Sequence, residues 1–297
     1  MTSPRHIFYF IALGLFWGIS PTQYRYWGET GVPVSHVIVY TGFGLAVFLA
    51  ALARLRHGKV NWSRDVMVYA LTCAVLMNVP FSLSLTFARH VPTAELALVF
   101  SLSPLVNFAV GAVSGQEPLS ARRLAAIVVG FAACTILIVS REGMVSGKVS
   151  WWLLASFANP LLFAAYNWYA QRNWPRGGTT FAISAAESFW SGVLALPFML
   201  LLAPPWQVTF STNLAYWSLL AATLMWVLER VSFFTLIREK GASYTAQAVY
   251  LSAPAAVIFA VVFFGGSSDM WLWAALAILM LALWLNNSEP AARPMSI

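Results

Sequence analysis

Apolar residues run through this chain in long blocks, without the narrow alternating stripe of a helix that lies half in water. A membrane-spanning helix needs about 20 predominantly apolar residues. Ten stretches meet that requirement: residues 7–26, 34–54, 66–87, 93–114, 121–140, 150–171, 180–203, 213–236, 242–264 and 270–286. The connections between them are short. The pattern therefore predicts an all-α membrane protein with ten transmembrane helices and no separate soluble domain. The first run follows Arg5, as a secretory leader would, but it continues to Trp27 and contains Pro21. No small-residue cleavage site follows a short apolar core, so a retained span is expected.

The two halves of the chain correspond. In a register of 150 residues, Ser82 falls on Ser232, Pro104 on Pro254, Gly115 on Gly265 and Thr93 on Ser243. The third, fourth and fifth apolar runs then overlie the eighth, ninth and tenth. Each half has five spans, an odd number, so the halves must cross the membrane in opposite senses. The expected architecture is two inverted five-helix repeats, at 7–141 and 150–286, with a short cytoplasmic tail at 287–297. Inverted repeats are a transporter architecture, with the substrate site near the midplane where the halves meet.

Composition excludes a soluble fold. Of the 297 residues 60% are hydrophobic and only 9% charged, against about 25% charged in soluble domains. The net charge of +7 reads as topology, because Lys and Arg collect in cytoplasmic loops. With both termini in the cytoplasm, 12 of the 17 Lys and Arg fall on the cytoplasmic side. Arg25, Arg89, Arg141 and Lys148 fall outside, and Arg230 lies within a span. A bacterial-type inner membrane with both termini cytoplasmic is expected. There is no basic stripe interleaved with aromatics, which argues against nucleic acid. Cys73 and Cys134 lie inside apolar runs and read as buried small hydrophobes. No HExxH or GxSxG occurs, and Gly143 to Lys148 is an incomplete phosphate loop. No cofactor or metal is expected. The driving force would be an ion gradient, exchange, or the substrate gradient itself.

Charges inside spans are costly and mark function by default. Glu229 and Arg230 lie near the middle of the eighth span, just after Trp226, and Glu187 lies in the seventh. Adjacent helical residues point about 100° apart, so Arg230 is expected to seek Glu187 if the two helices pack together. A central cavity is one reading of this cluster. A buried ion pair that locks helices, with Arg230 reaching toward the interface, is the other. Glu95, in the first turn of the fourth span, reads as a helix-dipole partner. Asn78 precedes Pro80, and Trp17 precedes Pro21 by four residues. Tyr166 and Asn167 occupy the corresponding place in the sixth span, and Gln247 and Tyr250 precede Pro254 in the ninth. These aromatics and amides, beside helix-breaking prolines that include Pro104, fit the lining of an amphipathic pocket. They also fit interfacial belts and interhelical hydrogen bonds.

Together these features resemble the drug/metabolite transporter superfamily, and within it the EamA-type transporters. Trp17-Gly18 is similar to the opening motif of that family. Ser103-Pro104-Leu105, then Gly115-Gln116-Glu117-Pro118-Leu119-Ser120, then Gly130, is similar to its fourth-to-fifth helix signature. The resemblance implies two inverted five-helix units and alternating access, commonly in metabolite export. Two departures stand out. Gly265-Gly266-Ser267-Ser268-Asp269 replaces the Gly-x-Glu turn of the second unit, which leaves Glu117 as a structural turn residue. The Glu229-Arg230 pair lies outside the family pattern and marks this chain's own specificity. The reading is a secondary or exchange transporter, not an enzyme. It would export a small organic metabolite such as an amino acid or another zwitterion, with a proton as candidate coupling ion. Efflux of hydrophobic cations is the alternative. An intramembrane enzyme using Glu229 or Glu187 is the rival from another class, and it would change its substrate's mass. Lipid surrounds the chain, and the oligomeric state stays open.

Overall fold

The computed structural model describes residues 3–58, 62–113, 121–132 except 123, 127 and 131, 151–205, 214–264 and 270–287. Among these there are helices and no strands. The helices are α1 (Pro4–Glu29), α2 (Val34–His57), α3 (Arg64–Phe87), α4 (Thr93–Phe100) and α5 (Ser103–Val113). After them come α6 (Trp151–Ser156), α7 (Ala158–Arg172), α8 (Thr180–Leu202), α9 (Leu214–Lys240), α10 (Ala242–Ala246), α11 (Val249–Phe264) and α12 (Met270–Asn287). The described residues of 121–132 are helical as well. The turn motifs at Gly115–Ser120 and Gly265–Asp269, the incomplete phosphate loop, Cys134 and the tail after 287 lie outside the described residues.

Among the described residues six segments are long and apolar enough to cross a membrane: Val34–Arg56, Arg64–Phe87, Glu95–Val113, Thr180–Leu202, Leu214–Lys240 and Tyr244–Phe263. The surface agrees with a lipid exterior. Val113, Leu201, Leu202, Val262 and Phe263 are exposed, whereas Glu187, His36, Ser184 and Ser232 are fully buried. In water this arrangement would be inside out. At 26 residues α1 has the length of a span, but its second half carries Thr22, Gln23 and Arg25.

Three predicted spans are interrupted: 242–264 between α10 and α11, and two others where proline explains the break. Pro104 has no N–H for the Phe100 carbonyl, and the helix breaks between α4 and α5. The Ser103 hydroxyl takes over, donating to Phe100 O at 2.6 Å. Pro160 likewise gives nothing to Ser156, and Phe157 separates α6 from α7. Pro21, Pro80 and Pro254 are accommodated inside α1, α3 and α11.

Small residues set the closest helix contacts. α2 packs along α8, where a Cβ on Gly42 would lie 2.8 Å from Gly192 N and 2.9 Å from Ser188 O. α1 packs along α11, where a Cβ on Gly18 would lie 2.7 Å from Ala255 Cβ and 3.1 Å from Ser252 O. Such backbone approach drives helix association where no hydrophobic effect operates. α1 also packs on α9, α3 on α7 and α8, α5 on α7, and α9 on α2.

The two ends of the bundle differ. At one end Glu239 accepts from Arg5 at 2.9 Å and pairs with His6 at 2.6 Å. Arg238 covers the Trp174 ring and Arg56 the Phe181 ring at the same end. The Gln171 side chain accepts from Ala242 N at 2.9 Å, tying α7 to α10 there. At the other end Arg89 donates to Val32 O at 2.7 Å, and Trp27 Nε1 donates to Ser218 Oγ at 2.8 Å.

Candidate substrate cavity

A cavity of about 140 Å³ lies where α1, α3, α4, α7, α9 and α11 converge. An apolar cavity of about 150 Å³ is enough to admit benzene. From α1 come Trp17, Ser20, Pro21 and Tyr24, a stripe at three- and four-residue spacing. Gly18, beside Trp17, lets α1 approach α11 and close that wall. From α3 come Met77, Phe81 and Ser84, again one face. α7 gives Phe163, Tyr166 and Asn167, and α9 gives Trp226, Glu229, Arg230 and Phe233. Ala97, Phe100, Ser103, Ala246, Val249, Ser252 and Ala256 complete the lining.

The polar groups form one connected set. Arg230 Nη1 donates to Glu187 Oε2 at 3.0 Å and Oε1 at 3.2 Å, and reaches Tyr166 Oη at 3.5 Å. The Tyr166 hydroxyl donates to Glu187 Oε1 at 3.0 Å. Glu187 is thus fully buried with its charge met, behind the cavity wall rather than in it. Glu229 is held differently. Trp17 Nε1 donates to its Oε1 at 3.0 Å, and Arg230 Nε stands 3.6 Å from its Oε2, an ion contact without a hydrogen bond. On the far side Asn167 Nδ2 donates to Asn107 Oδ1 at 3.3 Å, bracing α7 against α5.

Trp17, Pro21, Tyr166, Asn167, Trp226, Glu229 and Arg230 therefore come together around one space. Asn78 does not line it. Met77, Phe81 and Ser84 hold the cavity face of α3, so Asn78 points about 100° away and donates to Ser191 O at 3.1 Å. Gln247 falls in the break between α10 and α11, outside the lining, and the side chain of Tyr250 lies outside the described residues. Pro80 contributes its carbonyl, which accepts from Ser84 Oγ at 2.8 Å and Asn159 Nδ2 at 3.2 Å. Pro104 is buried in α5, and Pro254 lies within α11. Glu95 is buried in the first turn of α4. Tyr24, Phe81, Phe100 and Phe233 are wall residues that sequence reasoning missed. Helical spacing of three and four residues from Pro21 and Glu229 is the signal that could have found Tyr24 and Phe233.

Residues 4–139 match the model of the EamA-like transporter family. This stretch is an EamA-like transporter unit of the drug/metabolite transporter superfamily. The match over this stretch points to a membrane transporter of this type. The EamA unit supplies Trp17, Pro21, Tyr24 and Phe81 to the cavity, and the rest of the chain supplies the charges. A solved structure titled "Crystal structure of protein" is similar over 96% of this chain and 97% of its own, with a TM-score of 0.63. At 16% identity this similarity shows a shared fold alone. No curated protein matches the chain.

Proposed function

We propose that the protein is a secondary or exchange transporter that moves a small organic metabolite by alternating access between two inverted five-helix halves, 7–141 and 150–286. The observation that carries this reading is the aromatic-walled cavity lined by Glu229 and Arg230 in an otherwise apolar bundle. Intramembrane charges beside a cavity are the mark of a substrate or ion path.

Paired contacts support the inverted repeat. In the 150-residue register α2 corresponds to α8, and Gly42 corresponds to Gly192, which it touches. Contact of α1 with α9 is mirrored by contact of α7 with α3, and contact of α3 with α8 by contact of α9 with α2. Positions that meet their own counterparts lie on the axis about which the halves would rock. In this reading Arg5, Arg56, Arg238 and Glu239, which make contacts at one end of the bundle, lie at the cytoplasmic face of an inner membrane. The contacts at that face and at the Trp27–Ser218 end are then the two gates. Export is the direction that the family resemblance implies, and a proton is the candidate coupling ion. No covalent change of substrate is part of this reading.

Flux of a labelled substrate into proteoliposomes tests it. Saturable uptake above protein-free vesicles, abolished by Glu229→Gln, supports the transporter. Release of a product of altered mass would place the chain among enzymes instead.

A further inference from the structure

The transporter reading leaves the substrate's chemistry open, and the inference here rests on that reading and deepens it. Two carboxylates, Glu187 and Glu229, share one guanidinium in the same buried cluster. Their partition is unequal. Glu187 takes Arg230 in hydrogen bonds of 3.0 and 3.2 Å and also receives the Tyr166 hydroxyl. Among the described residues Glu229 receives only the Trp17 N–H at hydrogen-bond distance, and it lines the cavity, which Glu187 does not. A carboxylate offers about four acceptor sites, so the described residues fill only a small part of the capacity of Glu229.

The cluster thus sets two carboxylates against one guanidinium, and Glu229 is the carboxylate that reaches the low-dielectric space. Its walls carry the rings of Trp17, Tyr24, Phe81, Trp226 and Phe233. Edge contacts hold them: Phe81 meets Trp226 at 74° and Tyr24 meets Phe81 at 73°, each 5.6 Å between centroids. Aromatic faces attract a desolvated cation by about 2 kcal/mol or more. Pro21 has no N–H to give the Trp17 carbonyl, and both residues line the cavity. A zwitterion would instead need Arg230 for its carboxylate. Nη1 of that side chain is already engaged with Glu187 and Nε faces Glu229 at 3.6 Å, so a carboxylate would have to compete with both glutamates for the same guanidinium.

We propose that the cavity between α1, α3 and α9 is a site for a small organic monocation with an apolar or aromatic body, with Glu229 as its counter-ion. Arg230 and Glu187 are positioning residues that fix the Glu229 carboxylate from behind.

The test is calorimetric titration of the full-length purified protein with four probes of similar body: phenyltrimethylammonium, phenylalanine, 3-phenylpropionate and 2-phenylethanol. The expected result is at least tenfold tighter binding of phenyltrimethylammonium than of the other three, and at least a tenfold loss of that binding in Glu229→Gln. If the variant cannot be purified, the ranking of the four probes on the native chain decides. Equal or tighter binding of phenylalanine, binding of phenyltrimethylammonium that Glu229→Gln leaves unchanged, or no binding of phenyltrimethylammonium at millimolar concentration would each overturn the proposal. Failure here and failure of the transporter reading are separable. Saturable proteoliposome flux of phenylalanine without binding of the cation sinks only the cation site. Cation binding without flux of any probe sinks the transporter and leaves the site.

Discussion

Replacing Glu187 by Gln isolates the ion pair from the cavity. Gln keeps the shape and one carbonyl acceptor for the Tyr166 hydroxyl, but it removes the charge that faces Arg230 at 3.0 Å. Glu187 is fully buried and Arg230 nearly so, with side-chain exposures of 0% and 14%. Breaking a buried pair by deleting one partner costs about 3–5 kcal/mol, because the remaining charge is stranded. Arginine cannot relieve this by losing its proton. Here Glu229 stays 3.6 Å from Arg230 Nε and offsets part of the loss, so the lower end, about 3 kcal/mol, is expected. At roughly 2–4 °C per kcal/mol for chains somewhat smaller than this one, the apparent melting temperature should fall by about 6–12 °C. Thermal unfolding of the detergent-solubilised protein, followed by tryptophan fluorescence, measures it. The double variant Glu187→Gln, Arg230→Gln removes both charges and should be more stable than the sum of the two single losses implies. A single variant as stable as the native chain, or strictly additive effects, would refute the ion-pair reasoning.

Three further outcomes are expected. Trp17→Phe keeps a ring on the cavity wall but removes the N–H bonded to the Glu229 carboxylate, and hydrogen bonds to charged groups contribute about 1.5–3 kcal/mol. Affinity for phenyltrimethylammonium should fall about tenfold or more, and unchanged affinity by titration would detach Trp17 from the site. Gly42→Val forces side-chain atoms into the Gly192 and Ser188 backbone, and overpacking of this kind costs about 1–3 kcal/mol. The melting temperature should fall, whereas a neutral result would show that α2 and α8 can separate freely. Cysteines introduced at Gly31 and Gly58, in exposed turns at opposite ends of the bundle, should react with impermeant maleimides from opposite sides of the membrane, and labelling from one side only would overturn the orientation.

Much of this architecture is legible in the sequence because lipid imposes a simple rule: a span must be apolar along its whole length and satisfy its own backbone. Buried charges stand out against that background, which is why Glu187, Glu229 and Arg230 can be singled out, and why Arg230 can be assigned to Glu187. Fine helical phase is less legible. Asn78 differs from Met77 by one position, yet that step rotates it off the cavity face and onto Ser191. The aromatic wall is also hidden, because Tyr24, Phe81 and Phe233 look in sequence like any other apolar residue of a span. Helix breaks are local and depend on which carbonyl a proline leaves unbonded. Pro104 and Pro160 end helices, whereas Pro21 and Pro80 do not. Neighbouring groups decide that difference, as Ser103 does at Phe100 O.

The most direct test of the account is the flux of phenyltrimethylammonium in proteoliposomes carrying the native chain or Glu229→Gln. This compound bears a permanent charge and does not leak across lipid as a neutral species. The account predicts saturable uptake with the native chain and uptake at the level of protein-free vesicles with Glu229→Gln. Uptake that is equal in both, or absent in both, would contradict it.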